Sequence, residues 1–147
     1  MTFEQALSRM AALCSASEHC ESEIREKLQK VAMSDSDIER IIARLYDEQY
    51  LDTARYCRAF AHDRLRFARW GRLKIQQALR VKRLPNADIS DALQELPENE
   101  YRQALNETIA QKERSLRDED SFTRRGKLMR FAAIRGFTAD EIMDALP

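Results

Sequence analysis

Apolar residues along this chain fall at helical intervals, stop, and start again. Ile24, Leu28, Ile38 and Ile42 are separated by 4, 10 and 4 residues. The same separations recur 51 residues later at Ile75, Leu79, Ile89 and Leu93, and 53 residues after that at Leu128, Ala132, Ile142 and Leu146. A separation of four places two side chains on one face of a helix. The ten-residue step leaves room for a tight turn between two helices. Met33, Leu84 and Phe137 stand at corresponding places just before the last helix of each set. A period of this kind predicts a repeat architecture.

Each unit is expected to hold three helices, with boundaries at 1–49, 50–96 and 97–147. In the first, Phe3, Leu7, Met10 and Cys14 stripe an opening helix, Ile24 and Leu28 a short second one, and Ile38, Ile41, Ile42 and Leu45 a third. Ser34 is placed to cap that third helix. In the second unit Asp52 is an N-cap, and Tyr56, Phe60 and Phe67 with Cys57, Ala61 and Ala68 form the predicted inward stripe. Trp70-Gly71 separates it from the helix of Ile75 and Leu79. In the third, Tyr101, Leu105, Ile109 and Leu116 stripe a long helix, Leu128, Met129 and Ala132 a second. Gly136 then ends one helix and Thr138, with Glu141 three residues on, caps the last. The fold class expected is all-α: a tandem repeat of three three-helix units, elongated and curved, because stacked units bury one another's faces and leave much surface per residue.

Composition agrees. Three glycines and three prolines in 147 residues are too few for a protein of many strands and turns. No apolar run approaches the roughly 18 residues of a membrane span, and no secretory leader is visible, so a cytoplasmic protein without a membrane partner is expected. Cys14, Cys20 and Cys57 are an odd number without zinc spacing and are read as reduced thiols. His19 and His62 are the only histidines, and neither sits in a nucleophile, metalloprotease or phosphate-loop motif. No catalytic residues, metal site or cofactor are assigned, and a non-enzymatic binding protein, a monomer, is expected.

Charge changes the picture more than composition does. The net charge is zero, yet residues 1–52 carry −5, residues 53–85 carry +9, residues 86–120 carry −6 and residues 121–147 carry +2. From Arg64 to Arg83 run Arg64, Arg66, Arg69, Arg72, Lys74, Arg80, Lys82 and Arg83 with no acid between them. Such residues cannot form i,i+4 ion pairs among themselves, and like-charge neighbours cost about 0.2–0.5 kcal/mol per pair. A field of one sign steers an anionic partner. These eight, with Trp70 in their midst, are the candidate binding residues, joined by a smaller set in the third unit: Arg124, Arg125, Lys127 and Arg130. Because the apolar positions Phe60, Phe67, Ile75 and Leu79 point inward, Arg64, Arg69, Arg72, Lys74, Arg80, Lys82 and Arg83 are expected to face solvent.

Tyr50-Leu51-Asp52, Arg55-Tyr56-Cys57 and Gly71-Arg72-Leu73-Lys74-Ile75 with Ala78-Leu79 form one dispersed motif, Ser17 to Leu28 a second, and Arg130 to Phe137 a third. Together they resemble the RecX family of regulatory proteins: the first is similar to its central motif, the second to its first-unit Glu-His-Ser motif, and the third to its C-terminal arginine-glycine-phenylalanine turn. Thr53, Cys20, Ser17 and Arg83-Leu84 depart from the family pattern. The resemblance implies tandem three-helix repeats that bind the groove of RecA recombinase filaments across neighbouring protomers. It implies inhibition of RecA's ATPase, strand exchange and co-protease activities in DNA repair and the SOS response, with single- or double-stranded DNA as a further partner. A second reading starts from the same residues: a stand-alone helical DNA-binding protein using the basic second unit. The zero net charge weighs against it.

Overall fold

The computed structural model describes residues 1–147 as nine helices and no strand: α1 (Phe3–Ala16), α2 (Glu21–Lys30), α3 (Asp35–Asp47), α4 (Thr53–Ala68), α5 (Arg72–Val81), α6 (Asn86–Gln94), α7 (Glu98–Ser115), α8 (Ser121–Ile134) and α9 (Ala139–Ala145). The starts follow from side-chain chemistry. Thr2, Ser34, Asp52, Asp120 and Thr138 each accept the N–H three residues on, satisfying one of the orphan donors of a first turn. α6 and α7 instead begin after Pro85 and Pro97.

The three units turn alike. The turn before the third helix places Ala32, Arg83 and Gly136 at positive φ, at 58°, 66° and 102°. The next N–H then reaches back five residues in every unit: Met33 to Leu28, Leu84 to Leu79 and Phe137 to Ala132, at 3.2–3.3 Å. This is the geometry that ends a helix through a left-handed residue. The repeating apolar set lies inside: Ile24, Ile75 and Leu128, Leu28, Leu79 and Ala132, and Ile38, Ile89 and Ile142 are all buried.

The units are not equally joined. Ile24, Leu28, Ile38, Ile41, Ile42, Leu45 and Leu51, with Ala6, Leu7 and Met10, form a core of their own. The second and third units share a single larger core, in which Leu65, Ile75, Leu79 and Leu96 pack in one cluster with Tyr101, Leu105, Leu128 and Phe137. α4 lies against α7 across that boundary, whereas no contact of that extent joins a helix of the first unit to one of the others. The accessible surface of 9059 Å² exceeds the roughly 7,800 Å² expected of a compact monomer of this mass, as an elongated array requires.

Phe67 does not point inward: it is 79% exposed. The buried arc of α4 runs through Tyr56, Cys57, Ala61 and Leu65. At 100° per residue Phe67 falls on its edge, near Phe60, at the end of the helix. Phe60 is covered because Trp70 folds back on it edge to face at 6.4 Å.

Candidate partner-binding surface

The basic stretch divides in space. Acids absent from the stretch arrive from other units, and the eight cations do not all face solvent. Arg72 opens α5, and its Nε donates to the Leu93 carbonyl at 3.1 Å. Its guanidinium reaches Glu98 at 3.1 Å and Glu141 at 3.5 Å and lies 3.9 Å from the centre of the Tyr101 ring. The Arg72 backbone N–H donates to the Tyr101 hydroxyl, which in turn donates to Glu141. Burial pushes the Tyr101 phenol up to about 12, with Glu141 beside it working the same way. Arg72 is thus a rivet between the second and third units, not a free binding residue.

Lys82 is also engaged. Its ammonium lies 3.4 Å from Glu23 of the first unit. Burial opposes ionisation of Glu23, but the Cys20 backbone N–H and thiol, together with Lys82, hold its carboxyl below the ordinary range. Arg69 pairs with Glu107 at 2.9 Å, and Arg66 approaches Glu100 at 3.8 Å, beside His62 at 3.6 Å. In the third unit Lys127 binds Glu119 at 2.7 Å. The like-charge cost inferred from the sequence is therefore offset for half of the stretch by carboxylates folded in from a distance.

What remains is a smaller surface. Arg64, Lys74, Arg80 and Arg83 have no carboxylate within ion-pair distance, and all but the half-buried Lys74 are exposed. Trp70, half-buried at the α4–α5 junction, organises two of them: the Arg64 guanidinium lies 5.1 Å and the Lys74 ammonium 4.6 Å from its ring. Arg64 also stands 5.1 Å from the Phe60 ring. Stacking of this kind holds long cationic side chains in place without consuming their charge. α4 ends at Arg69 with φ 54°, and this left-handed residue turns Trp70 back toward α4. Arg124, Arg125 and Arg130 are likewise unpaired, and the first two line a separate open cavity of about 560 Å³ with Phe122.

Sequence reasoning missed the apolar part of this surface. Leu73 and Val81 on α5 are 50% and 77% exposed, and with Gln77 and Arg80 they form the face opposite Ile75 and Leu79. The signal was available, since both fall off the buried stripe. Apolar side chains interleaved with cations suit a protein partner better than bare phosphate.

Models of the RecX second, third and first three-helix domains match residues 52–93, 99–146 and 6–45. The regulatory protein RecX of Prosthecochloris aestuarii is 32% identical over 97% of this chain and 91% of its own length. The chain belongs to the RecX family. RecX of Acinetobacter baylyi is 30% identical over 92% of this chain and 82% of its own. The crystal structure of RecX from Lactobacillus salivarius superposes with a TM-score of 0.87 at 15% identity, covering 97% of this chain and 93% of that one. The RecX relatives are named regulatory proteins rather than enzymes. No helix is long and apolar enough to cross a membrane.

Proposed function

We propose that this RecX-family chain is a negative regulator of RecA that binds RecA–DNA filaments and inhibits ATP hydrolysis, strand exchange and co-protease activity. It acts by stoichiometric binding, as a cytoplasmic monomer, within DNA repair and the SOS response. The observation that carries this reading is the split of the basic stretch. Arg64, Lys74, Arg80 and Arg83 are left free around Trp70 and beside exposed Leu73 and Val81, on the middle unit of an elongated array. An extended surface with apolar, cationic and acidic parts fits a partner made of protein and DNA together. Arg124, Arg125 and Arg130 extend the contact along the third unit.

Seven free cations spread over two units of a chain of zero net charge give a grip on phosphate alone that weakens as salt rises. Each neutralised phosphate adds about one unit to the salt dependence, and such binding fades at physiological salt. The test is sedimentation of the protein with RecA–single-stranded DNA filaments, beside naked single- and double-stranded DNA, at physiological salt. Saturable binding to filaments with suppression of their ATP hydrolysis is expected. Equal binding to naked DNA, with ATP hydrolysis untouched, would show a DNA-binding protein instead.

A further inference from the structure

The second and third units meet backbone to backbone. The Gly71 N–H donates to the Arg135 carbonyl at 2.8 Å, and the Leu73 N–H to the Gly136 carbonyl at 3.0 Å. A Cβ on Gly71 would stand 2.4 Å from the Gly136 carbonyl carbon, and one on Gly136 would stand 2.5 Å from Cβ of Lys74. The contact exists only because both positions lack a side chain.

The repeat offsets place Cys20 where the second unit has Gly71, and Arg83 where the third has Gly136. Both carry side chains, so the first and second units cannot close in the same way. A cavity of about 510 Å³ lies there, with Cys20, Ser22, Tyr46, Thr53, Arg83 and Pro85 among its lining residues. Side chains alone bridge it. Cys20 enters the core of the later units, Glu23 meets Lys82, and Glu18 meets Arg55. The main chain crosses once. Leu51 is anchored in the first core and Tyr56 in the second, with Asp52 and Thr53 close between them. Arg55 straps this crossing, donating to the Gln49 and Tyr50 carbonyls at 3.2 Å while it holds Glu18.

We infer that the Leu51–Thr53 joint is a hinge on which the first unit turns as one body against the fused second and third units, with Arg55 as its clasp. Separate cores joined by a few side chains, here Cys20 and two ion pairs, move relative to one another, and hinges lie where few residues absorb the change. The first unit therefore sets its angle along an extended partner independently, while the basic face and the third unit keep a fixed relation.

Spin-label distances test this in a Cys14→Ser background. Ala43→Cys on α3 with Ser90→Cys on α6 spans the proposed hinge. Ser90→Cys with Asp140→Cys on α9 spans the locked junction; all three positions are exposed. The distance distribution across the hinge is expected to be at least twice as wide as the control and to widen again with Arg55→Ala. If Arg55→Ala does not fold, Glu18→Ala opens the same clasp and carries the same expectation. Equal widths for the two pairs, or a hinge distribution that neither clasp variant changes, would overturn the proposal.

Discussion

Arg72 and Arg80 stand eight residues apart on α5, carry the same charge and do opposite work. Arg72 is held by Glu98, Glu141, the Leu93 carbonyl and the Tyr101 ring, and ties two units together. Arg80 is exposed, with no carboxylate near it. The difference comes from what lies opposite each. α5 begins at the junction with the third unit, which brings acids from 26 and 69 residues away, and its far side meets only solvent. A run of charge along a chain is thus two populations: cations that hold the fold and cations available to a partner.

The sharpest way to break this comparison is to reverse its structural member. Arg72→Glu sets a third carboxylate beside Glu98 and Glu141 and leaves the Leu93 carbonyl without its charged donor. It is expected to cost about 3 kcal/mol, as loss of charge-assisted hydrogen bonds at a part-buried junction does. Its thermal melt should fall by roughly 6–12 °C. A melt within a degree or two of the parent would make Arg72 an ordinary surface residue.

Gly136→Ala probes the same junction without touching charge. The residue has φ 102° and the new methyl meets Lys74, so about 2–3 kcal/mol of destabilisation is expected, in line with overpacking. Urea unfolding measures it, and an unchanged midpoint would show that the glycine contact is not tight.

Alkali loosens the junction more gently. The folded Tyr101 phenol is raised from an ordinary value near 10 to about 12. The stability it contributes is therefore fully present below about pH 10 and lost as pH rises toward 12. Melting temperature should fall across that window, and Tyr101→Phe should start lower but fall less steeply. Parallel curves for parent and variant would remove Tyr101 from the account.

Arg69→Ala and Lys82→Ala remove partly exposed pairs and should each cost less than about 1 kcal/mol. A larger loss for Lys82→Ala would mean that its pair with Glu23 locks the first unit.

The helices were legible because their determinants are local. The Ile24, Ile75 and Leu128 sets, the caps at Ser34, Asp52 and Thr138, and the helix stop at Gly136 all lie within a few residues of what they decide. The division of the basic stretch was not legible, because Glu98, Glu107 and Glu141 reach it only through the packing of the third unit. Phe67 was misread because helical spacing gives a face, and whether that face is covered depends on where its neighbours end. Gly71 and Gly136 could each be read as a helix boundary. That they touch is a property of two units together, 65 residues apart in the chain.

The free population is the central claim, and its loss should leave the fold intact. Reversing Arg64, Lys74, Arg80 and Arg83 together to Glu, with Arg72 intact, tests it most directly against inhibition of RecA-driven ATP hydrolysis on single-stranded DNA. Changes at exposed Arg80 and Arg83 are expected to alter stability by no more than about 0.5 kcal/mol each, and those at Arg64 and Lys74, which leave the Trp70 ring, by about 0.5–1 kcal/mol each, while inhibition is lost at doses where the parent protein is fully effective. A quadruple variant that folds and still inhibits at the parental dose would contradict the account and place the binding surface elsewhere on the repeats.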